Sequence, residues 1–155
     1  MPDEIEKKYA TLKKKYKLPD FEDIDFEFEI SHLEHEKFVL RGIIRRIAEK
    51  LDFFSTMLEE QLQPDTSNLY AMHETRFFDE SQKKKMYDLY SKLMMMNRSS
   101  IEVMLEGGEE REAEFIVSVF SKWKGIKEEL MDFVNKIKLS WETEVDIKED
   151  IGYLG

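Results

Sequence analysis

Apolar residues recur every three or four positions along four stretches of this chain, the spacing that lines one face of an α-helix. Short polar breaks at residues 63–68 and at Gly107-Gly108 separate the three long stretches. In the first of these, Leu33, Lys37, Leu40, Ile44, Ile47, Leu51, Phe54, Leu58 and Gln61 alternate by three and four, and all but Lys37 and Gln61 are apolar. Ile43, Ala48 and Met57 widen the stripe, so this helix must face at least two neighbours. Ser31 and Glu34 have the S-x-x-E spacing of a capping box, which predicts a helix over 32–62.

The last long stretch, 109–141, is as regular. Ala113, Ile116, Phe120, Trp123, Lys127, Leu130, Val134, Ile137 and Trp141 form the stripe, with Lys127 the exception, and Val119, Ile126 and Phe133 line one shoulder. This frame places both tryptophans in the core. The middle stretch, 69–106, is irregular. Met86, Tyr90, Leu93, Asn97, Ser100 and Met104 share a face, but the same frame continued backward meets Lys83, Asp79 and Arg76. The pattern therefore predicts a break near Asp79, with Asp79 as a new N-cap and Gln82 as its partner. Asn97 is expected to be largely buried in the seam, facing the last helix near residues 116–117. The break at 63–68 is short enough to make the second and third helices antiparallel neighbours, with Leu58 beside His73 and Ile44 beside Tyr87.

The N-terminal stretch, 2–16, carries Ile5, Tyr9, Leu12 and Tyr16 on one face, and Leu18-Pro19 ends it. The acidic connector, 20–31, alternates Ile24, Phe26, Phe28 and Ile30 with acids, the period of a strand. An isolated strand has no partner in a helical chain. A helical turn from Asp20 followed by an extended lead-in is the expectation. The acidic tail, 142–155, is expected to fold back so that Glu142, Glu144 and Asp146 meet the basic face of the first or second helix.

These elements predict an all-α, mainly antiparallel helical bundle: three long helices, the third broken near Asp79, plus a short N-terminal helix. With 155 residues, one domain spanning 1–155 is expected. Charged residues make up 37% of the chain and only three are proline, which favours helices over a sandwich or barrel. There is no cysteine, which removes disulfides, thiolate metal sites and cysteine nucleophiles. No apolar run approaches the ~20 residues of a membrane span. The charged start lacks a signal peptide's apolar centre, so a cytoplasmic location is expected. The net charge of −10 disfavours nucleic acid as a main partner, because binding a duplex requires cations to displace its counterions.

Five features of the chain are candidates for chemistry or binding. Glu29 and His32 have the E-x-x-H spacing of a di-iron bundle, but the second such pair and the further inward carboxylates are missing. His32, His35 and Glu36 offer too few organised ligands for a metal. The segment holding Tyr70, His73, Glu74 and Arg76 concentrates polar and aromatic groups, and an imidazole beside a carboxylate is how general bases are built. With no nucleophile alongside, a polar network stitching the helices together is the stronger expectation. Arg41, Arg45, Arg46 and Lys50 form a candidate basic face, with Arg45 and Glu49 at ion-pairing distance along the helix. Of Met94, Met95 and Met96, the outer two are expected to fill gaps in the bundle and Met95 to face outward.

No catalytic residue, cofactor or metal site is predicted. The expected function is a non-catalytic helical interaction, adaptor or assembly protein with a protein partner, and a monomer is favoured over an oligomer. The alternative is an RNA- or ribonucleoprotein-associated factor using the basic face. An enzyme with a site around His73 comes third.

Overall fold

In the computed structural model, residues 4–33 and 36–142 are described. They form an all-α bundle of six helices: α1 (Glu4–Tyr16), α2 (Phe21–Phe28), α3 (Val39–Leu62), α4 (Leu69–Arg76), α5 (Glu80–Glu106) and α6 (Glu109–Glu142). The expected position of the acidic tail falls outside the described residues beyond Glu142. Contacts group the chain into a first unit, 1–53 with 93–124, and a second, 54–92 with 125–155. The helices α3, α5 and α6 each contribute a segment to both.

In the first unit, α1 buries Ile5 and Tyr9 and ends where Lys17 turns left-handed (φ 56°) ahead of Leu18-Pro19. The Tyr9 hydroxyl donates to the Pro19 carbonyl at 2.5 Å, and Lys13 pairs with Asp20, so α1 and the start of α2 are fastened together. Burial, helped by the charge of Asp20, pushes the Tyr9 phenol above its usual range.

The connector is neither a strand nor a single turn. It forms two turns of helix, because Ile24 and Phe28, four apart, both reach the core while Phe26 is turned outward. Glu29 closes α2 in the left-handed conformation, and a 3-10 turn over Ile30–His32 follows.

Glu34, the expected capping-box partner of Ser31, lies outside the described residues. The Ser31 amide donates to the Asp25 carboxylate at 2.7 Å, which makes it part of the exit from α2. The next α-helix therefore starts at Val39 and not at His32, after a second 3-10 turn over Glu36–Phe38. Leu33 packs back onto it, its methyl groups 3.2 Å from where a side chain on Gly42 would begin.

From Val39 onward the predicted α3 stripe holds: Leu40, Ile44, Ile47 and Leu51 are buried, joined by Ile43. Ile44 shares a groove with residues 100–105 of α5, not with Tyr87. The register counted across the 63–68 break is lost at Ile44 because α4 is a separate element and α5 begins only at Glu80. Gly107 and Gly108, both at positive φ, turn the chain from α5 into α6, and Arg111 reaches back to Glu106 at 2.9 Å. On α6, Trp123 is buried, donates its indole N–H to Glu27 at 2.8 Å and lies against Phe28.

In the second unit the predicted break is present. Asp79 and Gln82 cap α5 reciprocally: the Asp79 amide donates to the Gln82 side-chain oxygen at 2.9 Å, and the Gln82 amide to the Asp79 carboxylate at 2.8 Å. Phe78, just before the break, is buried and meets Phe133 of α6 edge-on. α4 runs back beside the end of α3, with the Thr75 hydroxyl donating to the Gln61 carbonyl at 2.8 Å.

Two expectations about polar and aromatic positions are overturned. Asn97 is half-buried, and its side-chain oxygen accepts from Arg98 at 2.8 Å. The buried face of α5 runs through Met86, Leu89, Leu93, Ser100 and Val103, with Asn97 at its edge. Similarly, Ile126, Leu130, Phe133 and Ser140 carry the buried face of α6 in the second unit, so Trp141 is 47% exposed. Met95 faces outward and its two neighbours are half-buried, as expected.

Candidate functional site

The polar segment of α4 ties that helix to the ends of α3 and α6. A short helix placed between two loops must fix its orientation through side chains, since a helix of eight residues has little stability of its own. His73 is buried, and its Nε2 lies 2.8 Å from the Ser140 carbonyl of α6. A carbonyl only accepts, so Nε2 carries the proton and donates. The imidazole ring also lies 4.0 Å, centroid to centroid, from the Trp141 indole.

Glu74 accepts two bonds, from the Gln61 amide at 2.9 Å and from the Trp141 indole N–H at 2.8 Å. Glu74 thereby joins the ends of α3 and α6. Gln61 is itself buried, and among the described residues its side-chain oxygen is a buried acceptor that meets no donor. Tyr70 is exposed and takes only a long 3.4 Å bond from Asn68, and Arg76 is exposed at the end of α4.

Of the four predicted residues, then, His73 and Glu74 work inward and both meet Trp141, while Tyr70 and Arg76 are exposed. Three members of the network escaped sequence reasoning: Gln61, Ser140 and Trp141. Gln61 was visible as the polar residue closing the α3 stripe. Ser140 and Trp141 were hidden by the assumption that the tryptophan, not the serine, took the interior position.

The candidate basic face does not present one surface. Arg41 donates to the buried carboxylate of Glu112 at 3.1 Å and lies over the Phe38 ring. Arg46 pairs with Glu49 at 3.3 Å, taking the partner that spacing had offered to Arg45. Lys50 sits over the Phe28 ring, and Arg45 is exposed at the edge of the groove between α3 and α5. Successive helical positions diverge by about 100°, so Arg41 and Arg45 lie on one strip and Arg46 and Lys50 on another. Each strip carries its own contacts.

Among the described residues, no group of three His, Asp or Glu side chains is placed to hold a metal ion. The same residues contain no helix long and apolar enough to cross a membrane.

Among the concave features of the first unit, two stand outside the predicted sites. One is an apolar groove of about 340 Å³ between α3 and α5, lined by Ile44, Ala48, Ile101, Met104 and Leu105 with Arg45 and Ser100. Leu105 is 82% exposed there, and Ile101, one turn earlier, 47%. The other is a cavity of about 570 Å³ bounded by α1, the approach to α3 and the start of α6. Neither includes His73. A signal for the groove was present in the sequence: Ile101 and Leu105 are four apart and lie off the α5 stripe. No protein-family model matches the chain, and neither a curated protein nor a solved structure is significantly similar to it.

Proposed function

We propose that this chain is a non-catalytic helical interaction module whose working surface is the apolar groove between α3 and α5. The observation that carries the proposal is the pair Ile101 and Leu105, large apolar side chains left in solvent one helical turn apart at the edge of a groove floored by Ile44 and Ala48. Contiguous exposed apolar surface beside a groove marks interaction sites. Apolar anchors at i and i+4 spacing suit helix-in-groove recognition.

The partner's chemistry follows from the rim. Arg45 is the charged residue lining the groove. The nearby acids Glu102 and Glu106 both face Arg111, at 3.9 and 2.9 Å, which offsets part of their charge. The occupant that fits is an amphipathic helix with an acidic flank.

The test is affinity purification from the native host with and without nuclease, using wild type beside I101E/L105E. Both positions are exposed, so the variant should fold. A protein that wild type retains through nuclease and the variant loses, and whose acidic amphipathic segment binds wild type as a synthetic peptide, supports the reading. Partners lost on nuclease treatment would favour the RNA-associated alternative. Equal retention by both proteins would overturn the groove as the working surface.

A further inference from the structure

We propose, resting on the groove between α3 and α5 as the working surface, that its occupant is the end of α5 from a second copy of this chain, in a twofold-symmetric dimer. The occupant that suits the groove is an amphipathic helix with an acidic flank, and the chain carries one at the groove's own edge. Over its last turns α5 presents Ile101 and Leu105, 47% and 82% exposed, with Glu102 and Glu106 exposed beside them. The two apolar residues are four apart, as are the two acids, so each pair lines a strip and the strips adjoin.

The same patch holds the complement. Ile44, Ala48 and Met104 supply apolar lining, and Arg45 supplies the charge. Among the described residues Arg45 is exposed and enters no ion pair, whereas Arg41 and Arg46 are each held by an acid. Glu106 is held by Arg111 at 2.9 Å, but Glu102 lies at a looser 3.9 Å from the same guanidinium and stays 65% exposed. Arg98, one turn before Glu102, is turned to the Asn97 side-chain oxygen. Glu102 is thus the acid open to a cation from outside. A twofold axis through the patch sets the two α5 ends antiparallel. Each copy's Ile101 and Leu105 then enter the other's groove, and each Glu102 meets the other's Arg45. Burial of these exposed apolar side chains drives the association, and the charges fix its register. A dimer departs from the monomer expected from the sequence, which showed the stripe of each helix but not what its edge leaves exposed.

The experiment is sedimentation equilibrium of the full chain up to about 1 mM, the weak end of specific association, with thermal melting to confirm that each variant folds. Wild type is expected to dimerise reversibly, and I101E/L105E to weaken the dimer about tenfold or more. R45E and E102K each place like charges at both symmetric contacts, and each should weaken it about tenfold or more. Mixing R45E with E102K tests the pairing itself. In the mixed dimer one contact has its signs exchanged and the other is native, so the mixture should associate about tenfold more tightly than either variant alone. A wild type that stays monomeric to about 1 mM, a dimer that tolerates I101E/L105E, or a mixture no tighter than its components would overturn the second copy as occupant. Those results leave the groove itself standing if capture from the native host still depends on Ile101 and Leu105. If that dependence is absent too, the groove reading fails with it.

Discussion

Replacing Arg41 by alanine tests how the first unit tolerates a buried acid. The Glu112 side chain is only 6% exposed, and Arg41 is the partner that reaches it, at 3.1 Å. Breaking a fully buried ion pair by removing one member costs about 3–5 kcal/mol, because the other charge is left without compensation. Arg41 is itself 37% exposed, so part of the attraction is already screened by solvent, and a loss of roughly 2–3 kcal/mol is the better figure. In a domain of this size each kcal/mol moves the melting temperature by about 2–4 °C. R41A should therefore melt roughly 4–12 °C below wild type. The double variant R41A/E112Q supplies the control. If the cost comes from the stranded carboxylate, the neutral amide should recover much of the loss in urea or thermal unfolding. An R41A variant within about 0.5 kcal/mol of wild type, the usual range for a surface change, would refute the reasoning. So would a double variant less stable than R41A itself.

Other outcomes follow from single contacts. D79A should cost about 1 kcal/mol in urea unfolding, the usual effect of losing an N-cap, because the Gln82 amide at the start of α5 loses its acceptor. W123A should cost about 3–5 kcal/mol, whereas E27A should cost about 1–3 kcal/mol by leaving the indole N–H without its acceptor. In single-tryptophan variants, acrylamide should quench Trp141 efficiently and Trp123 poorly; equal quenching would contradict their burial. Tyr9 makes stability fall in strong alkali. Its folded phenol titrates above the unfolded value near 10, so its contribution is complete below about pH 10. It then declines by about 1.4 kcal/mol per pH unit as the unfolded chain ionises and the folded chain does not. Y9F should lack that component of the alkaline slope.

What the sequence revealed and what it hid divide along the range of the interaction. Asp79 and Gln82 are three residues apart, and the box they form needs nothing beyond that turn, so the break in the third helix was legible. The α3 stripe was legible for the same reason, since each apolar position repeats a local geometric rule. Ser31 and Glu34 had the same local form, yet the Ser31 amide was claimed by Asp25 from the preceding helix. Trp141 and Asn97 were misplaced because a small rotation of a helix exchanges adjacent positions between core and surface. That rotation is set by packing against distant segments. The candidate site shows the same division. His73 and Glu74 stood out by residue type, but their partners lie 67 residues away on α6 or 13 residues back on α3. The basic face looked single only because its members are close in sequence, and the helical turn separates them.

Each of the two units draws on segments that are far apart in the chain, and this bears on how the protein is made. When residue 53 has been synthesised, the α3 face of Ile43, Ile44, Ile47 and Leu51 exists, but the α5 and α6 segments that complete its unit do not. About 70 further residues must be added before residue 124 emerges, which at ribosomal speeds of about 5–20 residues per second takes on the order of several seconds. During that interval the apolar surface of α3 lacks its final covering, the condition under which nascent chains depend on holding chaperones. A stop anywhere before residue 93 would leave both units without the α6 segments they require, so early truncation should yield an unfolded product and not a smaller working one.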